Sequence, residues 1–418
     1  MLRSKRLWQV VRLSRRLWVR ATLYCLAGVA TALVAVVLGP FIPEDMTRAF
    51  GADAVDPILT IIASSMLAVT TFSLSTLVAA SAAAASGATP RATSLLLEDT
   101  TAQRALSTFL GTFLFSLVGL IALHAGLYGG GGRLVLFLVT LGVIAVIVLT
   151  LLRWIDHLST LGRISETIDR VKTVAISGMR DHLEDPLLGG APVGPLPAGA
   201  APVSPTEVGY LQHVDMPRLQ ALGEAGDLDL HLVARAGTFC SPGTPMIYVR
   251  TRATGELDPK VRQAVLDALT IGPRRTFEQD PRFGLIVLAE IASRALSPAV
   301  NDPGTAIDVL TTMVGVLALE PTADRLRDVP EFPRVHVPPL ALRDMFEDAF
   351  LPIARDGAGN VEIGIRLQKS LRALASMPGG RLHTIAREIA VASLTRGLES
   401  LTFEADRERL KREAFVEL

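Results

Sequence analysis

Four stretches of this chain lack Asp, Glu, Lys and Arg for long enough to cross a bilayer: residues 21–42, 58–86, 105–132 and 134–152. A hydrocarbon core of ~30 Å takes about 20 apolar residues as a helix. Inside it only helices and closed barrels satisfy every backbone N–H and C=O. These runs are too long and continuous for barrel strands. They predict four spans, roughly 21–42, 58–82, 106–127 and 134–152. The expected fold class is therefore membrane α-helical, with four transmembrane helices, plus a cytosolic α+β domain that is mostly helical with a small β module.

The first run reads as a retained anchor rather than a cleaved signal. Its apolar stretch is long, and it ends in Gly39-Pro40 instead of a small-x-small site. Cations in the short flanks set the direction. Seven precede the first span (Arg3, Lys5, Arg6, Arg12, Arg15, Arg16, Arg20). Arg91 and Arg104 lie between spans two and three, and Arg153, Arg163, Arg170 and Lys172 follow span four. The opposite loops hold only Arg48 and Arg133. Both termini are expected in the cytoplasm of a multi-pass inner-membrane protein. The formal net charge of zero gives no sign of nucleic-acid binding. The two cysteines, Cys25 and Cys240, are far apart and fit a reducing compartment.

The second span is overlong and rich in hydroxyls: Thr60, Ser64, Ser65, Thr70, Thr71, Ser73, Ser75, Thr76 and Ser81. Such residues let helices approach closely, or line a wet path without placing a charge in lipid. They also bond back to their own helix. Ser65, Thr71 and Ser75 are the candidate path residues, with His124 near the outer end of span three as a titratable group at depth. Trp154 and Tyr128 read as interfacial anchors, and the basic leader with Trp8 and Trp18 as an amphipathic helix lying on anionic lipid.

The expected organisation is a basic segment over 1–20, the transmembrane domain over 21–152 and a stalk helix over 153–185, read also as an oligomerisation helix. A Pro/Gly/Ala linker over 186–205, a small β-rich module over 206–255 and a helical domain over 256–418 follow. In the β module, LDLHLVA at 228–234 alternates, and a short helix near 216–225 precedes it. His213 and Asp215 are too few for a metal site, and Asp215 reads as a helix cap. Beyond 256 the periodicity predicts helices near 258–270, 281–296, 303–319, 338–355, 360–376, 380–399 and 403–414, with 321–337 as a proline-punctuated loop.

Aspartate precedes proline at 56, 258, 280 and 302, each time before a helical pattern. Aspartate caps the positive helix end, and proline fits the first turn. Two of these pairs sit in fuller motifs, RTFEQDPRFG at 275–284 and ALSPAVNDPGTA at 295–306. Arg274, Arg275, Gln279, Asp280, Asn301, Asp302 and Thr305 form the candidate ligand set, with one small anion expected between two neighbouring helix starts.

Those two motifs, with FSLSTLVAAS in span two and the order of the spans, resemble a family of uncharacterised bacterial membrane proteins, domain-of-unknown-function family 2254. This chain has Thr89-Pro90-Arg91 where the family has a serine-proline-arginine step, and Gly304 where it has an aromatic. The resemblance implies a four-span membrane protein with a cytosolic domain, and no particular chemistry.

Three functions follow as expectations. The first is an oligomeric channel or transport protein, a homo-oligomer in the lipid bilayer with a cytosolic regulatory domain. The second is a sensor or scaffold binding an anion or partner near Arg274 and Arg275. The third is a membrane-anchored enzyme using Arg275, Gln279, Asp280, Asn301 and Asp302. No Ser-His-Asp set, HExxH, P-loop or glycine fingerprint is present, so no catalytic residue, metal or cofactor is assigned.

Overall fold

A computed structural model of the chain describes residues 17–38, 54–92, 95, 99–160, 162–251, 257–320 and 329–416. The basic leader before Leu17, the side chain of Trp18 and the end of the first predicted span lie outside the described residues. The chain divides into two compact units.

Among the described residues, the smaller unit holds four helices: α1 (Leu17–Leu38), α2 (Val55–Gly87, up to Ser86), α3 (Thr100–His124) and α4 (Gly130–Thr160). Among the described residues, three segments are long and apolar enough to cross a membrane: Val55–Ala85, Thr100–His124 and Gly130–Ser159. In α1 the described apolar stretch is shorter, Ala21–Thr31. At 33 residues, α2 extends ~50 Å, more than the hydrocarbon core requires.

Glycines bring α1 and α3 together. A Cβ on Gly28 would stand 2.6 Å from the Gly111 carbonyl oxygen, and one on Gly111 would stand 3.0 Å from that of Tyr24. Close backbone approach through small residues is a usual membrane contact. Helix α3 is the most enclosed of the three long helices, and its buried side chains run round the helix from Ala102 to Ala122. Phe109, Ile62, Met66, Ile147 and Trp154 share one apolar cluster; Leu59, Phe115, Leu136 and Tyr128 share a second.

This corrects the reading of Trp154 and Tyr128 as interfacial anchors. Their exposures are 1% and 5%, and the Trp154 indole donates to Ser73 Oγ at 2.9 Å. A buried indole N–H requires an acceptor, and the second span supplies one.

Helix α4 stops at Thr160 instead of running on to residue 185. Gly162 adopts φ +86°, and α5 (Ile164–Glu184) starts anew. The apolar stripe of α5, with Ile168, Val171, Ala175 and Met179 buried, packs inside the larger unit. A Cβ on Gly284 would fall 2.5 Å from that of Ala175. The stripe read as an oligomerisation surface is thus covered by the chain itself.

Among the described residues, the larger unit contains two sheets and a helical layer. Its elements are β1 (Gly190–Pro192), β2 (Ala201–Val203), β3 (Gly209–Val214), α6 (Met216–Gly226), β4 (Leu228–Leu232), β5 (Phe239–Cys240), β6 (Ile247–Thr251), α7 (Pro259–Asp267) and β7 (Leu269–Gly272). Then come α8 (Pro281–Ala295), α9 (Pro303–Leu317), β8 (Phe332–Val337), α10 (Leu342–Asp356), α11 (Val361–Ala375), α12 (His383–Ser400) and α13 (Glu404–Arg412). The five-stranded sheet runs β1-β8-β4-β6-β2, parallel across β1-β8-β4 and antiparallel beyond; the three-stranded sheet runs β5-β3-β7.

Two departures from expectation concern strands. The segment read as a linker contributes β1 and β2, which form the two edges of the larger sheet. Proline is tolerated at a sheet edge, as at Pro192 and Pro202. The segment read as a loop before Pro338 ends in β8, and the helix read to residue 270 ends at Asp267 before β7 pairs with β3. Alternation in β4 turns Leu228, Leu230 and Leu232 into the core and Asp229 and His231 onto the other face.

Candidate functional site

Three of the four Asp-Pro aspartates are N-caps. Asp258 accepts from Lys260 N–H at 2.8 Å, Asp280 from Arg282 N–H at 3.2 Å and Asp302 from Thr305 N–H at 3.1 Å. Asp56 lies one residue inside the first turn of α2, where its charge still faces the positive helix end. Asp215 caps α6, accepting from Arg218 N–H at 3.3 Å.

Asp280 does more than cap. Arg275 grips it with two bonds, Nε to Oδ2 at 2.7 Å and Nη2 to Oδ1 at 3.0 Å. The guanidinium lies 5.6 Å from the ring centre of Phe283, and Phe277 packs on that ring at 4.5 Å. Burial pushes the Asp280 carboxyl up, against the lowering pull of Arg275 and Arg282. Gln279, also buried, accepts the Val214 N–H at 3.0 Å and so ends β3. Gln212 donates to the Arg274 carbonyl at 2.6 Å, while Arg274 itself is exposed.

Residues the sequence did not single out complete this cluster. Gly237, at φ +94°, passes so close that a Cβ there would stand 2.3 Å from Asp280 Oδ2 and 2.7 Å from Arg275 Nη2. Arg235, two residues earlier, donates through Nη1 to the carbonyls of Pro186 at 2.9 Å and Pro338 at 2.7 Å. Desolvation brings its guanidinium down to about 10, although Asp185 and Asp280 pull it up. Asp185 accepts the Gly189 N–H at 2.6 Å. Burial, and then the charge of Arg235, bring the His182 imidazole down to about 4. The Arg-Ala-Gly turn after β4 was the available signal, since a positive-φ glycine marks a close approach.

Asn301, Asp302 and Thr305 stand elsewhere. Asp302 N–H donates to the carbonyl of Ala295, the last residue of α8, at 2.8 Å, whereas Asp280 precedes the first. The 15 residues of α8 set the motifs ~22 Å apart. One small anion therefore cannot touch both. Asn301 is exposed at φ +50°. The Thr305 hydroxyl donates to Asp302 at 2.6 Å and, with the Thr305 N–H, holds that carboxyl below its ordinary value.

The path candidates divide by exposure. Ser65 is half-buried and bonds Ile61 O at 2.6 Å; Thr71 is exposed and bonds Leu67 O at 2.9 Å; Ser75 is exposed. Among the described side chains, the exposed hydroxyls of α2 are Thr60, Ser64, Thr71 and Ser75, spaced four, seven and four residues, which places them on one side of the helix. Leu67, Leu74 and Val78 flank them. His124 Nδ1 lies 2.9 Å from Leu120 O and its Nε2 3.8 Å from Asp56, both side chains exposed. At the opposite helix ends, the more enclosed His157 and Asp99 pair at 2.5 Å. No group of three His, Cys, Asp or Glu suited to a metal occurs among the described residues, and both cysteines are free.

A family model described as a predicted membrane protein, DUF2254, matches residues 14–373. The chain is 30% identical over 313 residues to the uncharacterized protein Mb1321c of Mycobacterium bovis and, equally, to the uncharacterized protein Rv1290c of Mycobacterium tuberculosis. Each alignment covers 72% of this chain and 59% of the relative, so the chain spans about three-fifths of the curated relatives it matches. No solved structure matches.

Proposed function

Because this chain belongs to the DUF2254 family of predicted membrane proteins, we propose that it works as a multi-pass inner-membrane protein, several copies of which form a channel or transport-related assembly. The observation that carries this reading is the hydroxyl stripe of Thr60, Ser64, Thr71 and Ser75, which the protomer's own helices leave uncovered. Hydroxyls gain little from facing hydrocarbon. Where Thr60, Ser64 and Thr71 bond carbonyls of their own helix, the oxygens retain lone pairs that face outward. A ring of such helices would present acceptors to a water-filled path and suits a cation or a hydrogen-bond donor.

In this reading α1 is the fourth span, both termini are cytoplasmic by the distribution of Lys and Arg, and the larger unit regulates the path from the cytosol. Cysteine scanning tests it, in a Cys25→Ser, Cys240→Ser background in liposomes. Thr71→Cys and Ser75→Cys should cross-link between copies, and thiol reagents should block ion flux. A monomer with no flux for any of several cations and anions would refute the proposal.

A further inference from the structure

The face of the five-stranded sheet opposite its leucine-lined core carries a pair of stacked histidines. His231 on β4 and His336 on β8 are direct register partners in the parallel ladder. Their rings stack at 4.3 Å between centres and 4° between planes. His231 is 5% exposed, and neither of its ring nitrogens has a hydrogen-bond partner. His336 is half-buried, and its Nδ1 lies 3.2 Å from the carbonyl of Pro192 on β1.

The groups around the stack come from every neighbouring strand. On β4, Asp229 is two residues away, held by Arg334 of β8 at 3.2 Å and facing Arg250 of β6 at 4.0 Å. Arg334 also donates to Asp227 at 2.8 Å. On β6, Tyr248 is the register partner of His231; on β1, Ala191 opposes His336 and carries no charge. Arg250 and His336 thus oppose a cation at His231, and the nearby Asp229 carboxylate is already held by Arg334. Burial, then the His336 charge, depress the His231 imidazole, Asp229 opposing and Arg250 adding to the effect.

Two neutral imidazoles stack favourably. A proton on His336 finds the Pro192 carbonyl as acceptor, while a proton on His231 would be a buried cation without one. Chelation of a metal by both rings is ruled out by the same geometry, because lone pairs lying in two parallel stacked planes do not converge.

We propose that the His231–His336 stack is a proton-operated latch on the seam between β4 and β8, closed when the rings are neutral and opened when both are protonated. The seam is short: Leu230 with Val335 and His231 with His336 are its register pairs. It joins the β1–β8 half of the sheet to the β4–β6–β2 half. Strand β8 runs directly into Pro338, whose carbonyl Arg235 holds, so opening would loosen the support of the Arg275–Asp280 cluster.

Hydrogen exchange of the full chain in detergent tests this, read on peptides covering 228–232 and 332–337. After correction for intrinsic rates, exchange should rise at least about tenfold between about pH 7.5 and about pH 4.5, because the burial of His231 moves its protonation below the ordinary imidazole range. His336→Phe keeps a ring on the stack but cannot take a proton, and should stay protected at the lower pH; His336→Gln serves as a second non-titrating variant. Unchanged protection in the parent chain, or equal loss in both variants, would overturn the proposal. His182 is intact in all three proteins, so its own titration cannot produce the difference.

Discussion

Arg275 and Asp280 form a two-bond clasp, with side-chain exposures of 18% and 2%, in a space that only a glycine at 237 leaves open. The carboxylate is at once the N-cap of α8 and the partner that neutralises the arginine. Removing it strands a largely buried cation. Asp280→Ala should destabilise the larger unit by about 3–5 kcal/mol, whereas Asp302→Ala, the loss of a partly exposed cap, should cost about 1 kcal/mol. Chemical denaturation of the full chain in mild detergent checks the contrast; equal losses would show that the clasp is only a cap.

His182 gives the larger unit a second dependence on acidity. Its folded value of about 4 lies below the ordinary 6.5, so the unfolded chain binds the proton more readily. The stability due to the neutral imidazole is complete above pH 6.5 and is lost as pH falls toward 4. The full loss is about 3 kcal/mol. In His182→Gln that slope should flatten in denaturant titrations run across the same window.

The indole of Trp154 ties α4 to α2 through Ser73. Trp154→Phe keeps most of the ring and loses the bond. It should lower stability in detergent by roughly 0.6–1.5 kcal/mol, and Ser73→Ala should lower it similarly. The double variant should cost less than the sum of the two, which thermal unfolding in a double-mutant cycle measures.

Gly284 lets α8 meet α5 at Ala175. Gly284→Val should force the helices apart at a cost of about 1–3 kcal/mol. Gly315, whose Cβ would meet nothing within 4 Å, should accept alanine without loss. Thermal unfolding of the two variants side by side settles the comparison.

The apolar helices were legible because an uncharged run of such length has few alternatives, and α8 to α13 were legible from caps and periodicity. Strands β1, β2, β7 and β8 were not. Each is three to six residues long, and each is a strand because of a partner remote in sequence: Gly190 pairs with Phe332, and Ala201 with Val249. Local propensity carries no trace of such pairing. In the candidate cluster, Arg275, Gln279 and Asp280 were legible as a motif, since spacing along a helix start is local. Arg235 and Gly237 were not, because a turn after β4 delivers them from roughly forty residues upstream. Asp302 was placed beside Asp280 because adjacent sequence suggested adjacent space, and an intervening straight helix does the opposite.

The strands contributed by the Pro/Gly/Ala-rich stretch have a practical outcome for anyone trimming this chain. Composition advertises residues 186–205 as the place to cut a soluble fragment, yet a cut at residue 205 would strip both borders from the larger sheet. The bare edges of β8 and β6 would then be free to recruit strands from other molecules. A fragment beginning at Ile164 keeps those borders and the α5 face that packs on α8; it should stay dispersed where the shorter one precipitates.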